Sequence, residues 1–276
     1  MKKILSMMIL AFLISISACA SKGKTAESEE IAAAESVSER ENPSETAGKK
    51  QLPVASTEAA SESEAPHYNS IMKPYDEIKH GKRLVILQNT LNFSREGIIS
   101  KEEAAVAGTI SYNGIDYNSY ELTNATQHLS EAPAGDVTIY MTDGSSSVVA
   151  AEELDAMYVL VDDFKSGNAP ILYNKETGAS LENFDYAVME NGEGIFSVIP
   201  EQEINVNELL TSYGWDTSAT YHLVATDAFY IPITPEDYDD GEIRGALSGA
   251  VNASFPEMTI AMGKISDVIF VEGIVE

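Results

Sequence analysis

The chain has 276 residues, one cysteine and a formal net charge of −27. A surface this acidic repels phosphate backbones, which excludes nucleic acid as a partner and favours solubility, cations and basic partners. The single cysteine is Cys19, so the region beyond it has no thiol for a disulfide, a thiolate metal site, a nucleophile or an iron–sulfur cluster.

Met1-Lys2-Lys3 opens the chain with two positive charges, and an apolar stretch runs from Ile4 to Ile16. That stretch is shorter than the roughly 20 apolar residues of a membrane span, and with its basic start it reads as a secretory signal. Ile16-Ser17-Ala18-Cys19 closes it. This closure resembles the lipobox of bacterial lipoproteins. The resemblance implies removal of residues 1–18, covalent lipid such as palmitate on Cys19, and a mature chain anchored extracytoplasmically at the outer face of the cell membrane.

Residues 19–66 come next. Ala20 to Pro66 contains no aromatic residue, and its apolar content beyond alanine is Ile31, Val37, Leu52 and Val54. So little apolar surface cannot offset the entropy of ordering, which predicts a disordered Ser/Ala/Glu-rich tether. As a flexible coil it spans on the order of 35–40 Å.

From His67 the composition changes, and all 13 tyrosines fall in this part. Strands are predicted at Leu84–Leu87, Val137–Thr142, Ser147–Val149, Tyr158–Val161, Tyr186–Met189, Phe196–Ile199, Tyr221–Thr226, Phe229–Ile233, Met258–Met262 and Val268–Val271. Asn205 or Asn207 caps a short helix through Leu209-Leu210 that Gly214 closes. Thr234-Pro235-Glu236-Asp237 signals a second helix start. The helical stretches are too short to serve as repeated crossovers, so the expected class is α+β and β-rich, not a parallel α/β sheet.

Asp136–Leu154 and Thr220–Tyr238 align without a gap, at a constant offset of 84 in sequence number. Thr142-Asp143 meets Thr226-Asp227, Glu152-Glu153 meets Glu236-Asp237, and Asn168-Ala169 meets Asn252-Ala253. Upstream, Glu121-Leu122 meets Glu208-Leu209 once about three residues are skipped. The spacing predicts two related small β-rich units, 67–182 and 183–276, against the alternative of two chance-alike hairpins.

The second unit runs Glu208-Leu209-Leu210, Gly214, Tyr221 to Asp227, Phe229 to Ile233 and Glu236-Asp237. It resembles part of the sulfite-oxidase-type molybdopterin-binding fold. Enzymes of that family hold molybdenum through a cysteine and the pterin phosphate through basic residues. Here the cysteine is missing, and Asp227, Asp237, Asp239, Asp240 and Glu242 crowd the matching region with only Arg244 nearby. The resemblance therefore implies a relative of the fold without its chemistry.

No histidine pair among His67, His80, His128 and His222 has metal-ligand spacing, and His222 reads as a structural residue of a strand. Asp237, Asp239, Asp240 and Glu242 are the weak candidates for a cation site, with Asp162-Asp163 behind them; the spacing fails the calcium-loop pattern, and a solvated acidic turn is the better reading. Gly192-Glu193-Gly194 is a turn with an acid where a phosphate loop would need none. Met141, Met157, Met189, Met258 and Met262 fall at strand spacing as core filling. Tyr213-Gly214-Trp215 either lines a pocket or packs against the core.

No catalytic residue or cofactor is expected, and the only covalent group is the lipid on Cys19. The sequence points to a lipid-anchored binding or interaction module whose ligand, a surface protein, a cation or a small molecule, sits where the two units meet. The alternative is a redox-accessory or cofactor-binding protein derived from the resembled fold.

Overall fold

The structure is a computed structural model that describes residues 72–93, 97–100, 105–258 and 263–275. Cys19, the leader and the tether lie outside the described residues, as does most of the strand expected at Met258–Met262. The described residues belong to one compact unit, Glu64–Glu276. Among them no helix is long and apolar enough to cross a membrane.

The chain begins with β1 (His80–Ile86), α1 (Leu87–Asn92), β2 (Gly108–Tyr112), β3 (Ile115–Glu121) and α2 (Thr123–Thr126). It continues through β4 (Val137–Met141), β5 (Ser146–Val149), β6 (Met157–Val161), β7 (Ile171–Asn174), β8 (Ser180–Leu181) and β9 (Phe184–Val188). Next come β10 (Gly194–Phe196), β11 (Glu203–Asn205), α3 (Val206–Ser212), β12 (Tyr221–Ala225) and β13 (Tyr230–Ile233). The last four are β14 (Glu242–Gly245), β15 (Val251–Ser254), β16 (Lys264–Ile265) and β17 (Val268–Ile274). The region is β-rich with short helices, as expected for its class.

Eight strands form a sheet in the order β13-β12-β17-β1-β10-β9-β4-β5. At its centre β1 and β10 run parallel, and each is flanked by an antiparallel neighbour, β17 and β9. A five-stranded sheet, β2-β3-β6-β7-β8, and a four-stranded sheet, β11-β14-β15-β16, complete the unit. The eight-stranded sheet takes strands from both sides of residue 182, where the sequence suggests a boundary.

Successive side chains on a strand point to opposite faces, and the large sheet is covered on both. Val85, Val137, Ile139, Ala187 and Ile195 share one core with Tyr120, Val159 and Leu172 of the five-stranded sheet. Leu84, Ile86, Phe196, Leu223 and Val271 share another with Ile243, Val251, Ala253 and Leu210. Double coverage explains why Leu84-Val85-Ile86 is an unbroken apolar run rather than an alternating one.

The backbone carries the internal echo further than the side chains do. The N–H groups of Met141 and Ala225 donate to the carbonyls of Ser145 and Phe229, and those of Thr142 and Thr226 to Asn183 and Asp267. Register shifts fall between Tyr140 and Met141 on β4, and between Val224 and Ala225 on β12. Asn183 and Asp267 both take the left-handed conformation, with φ of 57° and 59°. Glu121 sits opposite Tyr158, and Asn205 opposite Glu242. At the 84-residue offset Glu121 falls on Asn205 with no residue skipped, whereas the match to Glu208 needs the skip. The Asn168 match does not hold, because Asn168 lies in the connection before β7 whereas Asn252 is within β15.

Two local expectations change. The strand expected to run to Ile199 stops at Phe196, because buried Gln88 substitutes for a neighbouring strand. Its side chain donates to Ser197 Oγ at 2.7 Å and accepts from the Val198 N–H at 2.9 Å. Thr234-Pro235-Glu236-Asp237 forms its cap, with Asp237 Oδ2 accepting from the Thr234 N–H and hydroxyl, each at 2.7 Å. The turns beyond it do not grow into a helix. Tyr238 is drawn into the core, and the Gly241 backbone lies too close to the Phe255 ring for any side chain.

Candidate functional site

Helix α3 leads into an open concavity. Asn205 caps it, its side chain accepting from the Glu208 N–H at 3.1 Å, and Gly214 ends it at φ +67°. One face buries Val206, Leu209 and Leu210, which fixes where the outgoing Tyr213-Gly214-Trp215 must lie. The Tyr213 hydroxyl donates to the Ile195 carbonyl at 3.1 Å. Its ring packs so closely over Gly194 that a Cβ there would overlap it. Burial pushes the Tyr213 phenol well above its ordinary pKa, so it remains a donor.

Trp215 is fixed from three directions. Its backbone N–H donates to the Leu210 carbonyl at 2.9 Å, and its indole N–H to the Gly192 carbonyl at 2.7 Å. Its ring lies 5.0 Å from that of Tyr221, which in turn donates to the Asp216 carbonyl at 2.8 Å. These aromatics border an open cleft of about 530 Å³ whose other walls include Lys82, Glu190, Asn191, Asp216 and the end of β17. The Lys82 ammonium donates to the Asn191 carbonyl. The floor is backbone, because a Cβ on Gly81 would collide with the Gly273 carbonyl. Asp216 Oδ1 accepts from the Ser218 hydroxyl at 2.7 Å and N–H at 2.9 Å. Those bonds hold its carboxyl below the usual carboxylate range, so it is an ionised acceptor at neutral pH.

Two fully buried carboxylates brace this end of the sheet. Glu193 accepts from the backbone N–H groups of Arg83 and Ser130, both at 2.8 Å, and from Asn191 Nδ2 at 2.9 Å. Glu272 accepts from Arg83 Nε at 2.9 Å, Tyr75 at 3.0 Å and His80 Nδ1 at 3.2 Å. Sequence reasoning misses both. Glu193 reads as an acid in a turn, and Glu272 comes after Val268–Val271, where the apolar pattern ends the strand. The signal that could have found them is the unbroken strand pattern beside each.

The acidic candidates separate into individual tasks. Asp237 caps its turn, and Asp239 Oδ1 accepts from Asn207 Nδ2 at 2.6 Å. Glu242 is exposed on β14, and Asp240 is exposed just before it. Among the described residues no three His, Cys, Asp or Glu side chains converge as metal ligands would. His222 is half-buried against Tyr230, at 4.7 Å between rings, and burial lowers its pKa. Met157 and Met189 are in the core. Of the residues that carried the resemblance, Glu208–Leu210 lie in α3, and Tyr221 to Ala225 and Tyr230 to Ile233 form β12 and β13. Arg244 pairs with Glu203 at 2.9 Å in the four-stranded sheet.

A second, smaller cleft of about 290 Å³ lies on the other side of Tyr213, bordered by Asp185, Tyr186, Glu203 and Glu208. Burial raises the Asp185 carboxyl. The chain matches no protein-family model, no curated protein and no solved structure.

Proposed function

We propose that this chain is an extracytoplasmic binding module, anchored by lipid on Cys19, that takes its ligand in the Trp215 cleft. The observation that carries the reading is the cleft itself: an open concavity with a rigid aromatic wall and ionised and cationic groups around it. Such a combination suits recognition. It suits binding better than proton transfer, since the Asp216 carboxyl is held below its usual range and Lys82 is engaged with a carbonyl.

The module is built from two copies of one unit, with the seam between β9 and β10. Support comes from the strand order, which reads alike from both edges of the large sheet, and from hydrogen bonds and bulges that recur at one constant offset in sequence. In that arrangement the cleft lies where the copies meet, since β1 and the 190–192 turn belong to the first and Trp215 and β17 to the second.

Intact and native mass spectrometry of the full chain from its own host tests the reading. The expected species begins at Cys19, carries acyl chains and retains a non-lipid mass that leaves on denaturation. A species with the leader attached, or with a free Cys19 thiol, overturns the anchor. A bare chain whose Trp215 emission is also indifferent to extracts of the host envelope overturns the binding role.

A further inference from the structure

We infer that the ligand of the Trp215 cleft is a saccharide; this rests on the binding reading above and specifies its chemistry. The indole N–H is already spent on the Gly192 carbonyl and the ring packs in part against the core, so what Trp215 offers at the cleft wall is the remaining ring surface. An aromatic face without its polar handle is a stacking platform, and the hydrogen-bearing face of a pyranose is the flat, weakly polar surface that stacks on one. Because the ring is locked before binding, little side-chain entropy is lost when a ligand arrives.

Polar groups at the cleft wall complete the match. Asp216 keeps one carboxylate oxygen beyond the Ser218 bonds, and Lys82 has ammonium protons beyond the one given to Asn191. An acceptor and a donor around an aromatic face are what vicinal hydroxyls require, since each hydroxyl both gives and accepts. Other ligand classes fit less well. The ionised Asp216 opposes an anion, and Lys82 in the wall opposes a quaternary amine. A peptide binding by strand addition needs an open strand edge; β12 and β17 are paired on both sides, and where β1 runs past its pairing with β10 its Arg83 N–H is already taken by Glu193. The cleft also has the size usual for a small-molecule site.

The chain supplies its own reporter, because Trp215 is its only tryptophan. The full chain, in a detergent without a sugar headgroup, is titrated with cellotetraose, chitotetraose and maltotetraose, and separately with choline and trialanine. At least one tetrasaccharide is expected to shift Trp215 emission saturably at low-millimolar concentration or below. Asp216→Asn, which preserves the acceptor toward Ser218, is expected to weaken that titration roughly tenfold. Trp215→Ala is expected to abolish the saccharide adduct in native mass spectrometry, while Trp215→Phe retains a weaker one. A response to choline or trialanine with none to the sugars overturns the saccharide and leaves the binding module standing. No response to any of the five, with a bare mass from the host, overturns both.

Discussion

Glu272 is the place where one substitution should cost most. Its carboxylate is fully buried on β17, and Arg83 beside it on β1 has a side chain only 14% exposed. The guanidinium also stacks 4.6 Å over Phe270 and donates to the His128 carbonyl at 3.0 Å. Glu272→Gln keeps the shape and one acceptor oxygen but removes the charge, leaving Arg83 with neutral partners alone: that amide oxygen, the His128 carbonyl and a 3.3 Å bond to Tyr75. Removing one partner of a buried pair costs about 3–5 kcal/mol, and the slight exposure of Arg83 puts the expectation at the lower end, about 3 kcal/mol. With a urea slope of about 2–3 kcal/mol/M, the unfolding midpoint should fall by roughly 1 M or more. Arg83→Met combined with Glu272→Leu should cost less than the two single changes together, because no charge is stranded. Added salt should change the loss little, since the pair is shielded from screening. A loss below about 0.5 kcal/mol for Glu272→Gln, or a double variant equal to the sum, would refute a desolvated and coupled pair.

Gly194→Ala drives a Cβ into the Tyr213 ring and to 2.6 Å from the Ala187 carbonyl; overpacking of this kind costs roughly 1–3 kcal/mol, and Trp215 emission should move to the red as its mount loosens. Gly144 and Ala228 hold matching left-handed turn positions at φ 81° and 66°, so Gly144→Ala and Ala228→Gly should shift stability by about 0.5–1 kcal/mol, down and up respectively, in urea unfolding. Burial lowers the His222 pKa, so between the folded and unfolded values the unfolded chain binds the proton more readily and stability rises with pH. The His222 contribution is complete above about pH 6.5 and is lost as pH falls through the folded value; thermal melts of His222→Gln should show a shallower decline toward acid, and an unchanged slope would contradict the assignment.

Much of this fold was legible because its strands obey simple rules. Hairpins such as Val137–Met141 with Ser146–Val149 alternate cleanly around Asp143-Gly144, and the Asn205 cap announces α3. The strands that escape notice are those with little apolar signal. Gly108–Tyr112 is largely exposed, so a Gly-Thr-Ile-Ser-Tyr stretch carries no burial pattern to read. Lys264–Ile265 has two residues, too few for any period. The helix expected after Thr234 shows the converse: a good cap sets a start, but the pull of Tyr238 into the core decides whether a helix grows from it. At the site, Tyr213-Gly214-Trp215 is visible in the sequence as an aromatic cluster. That it faces Lys82 and the end of β17 depends on β1 pairing with β17 across nearly the whole chain, and no local pattern encodes that pairing.

The geometry of the central pair explains why a cleft forms at this end of the sheet. Antiparallel neighbours can be closed by a tight hairpin, but β1 and β10 run parallel, and β1 starts at His80 whereas β10 starts at Gly194 opposite Leu84, so nothing joins them directly and β1 runs past β10 at this end. The gap is instead walled by the turn before β10, the end of β17 and the segment leading out of α3. A smaller concavity of about 180 Å³ lies where residues Glu131 to Gly135 meet Met189 to Asn191, the place at which the proposed duplication would put a counterpart. There Glu131 is the position that matches Trp215 at the offset relating the two halves. The indole at 215 packs against the core beside Tyr221 with its N–H tied back to Gly192, and the binding proposed for the cleft would draw on the part of the ring left at the wall.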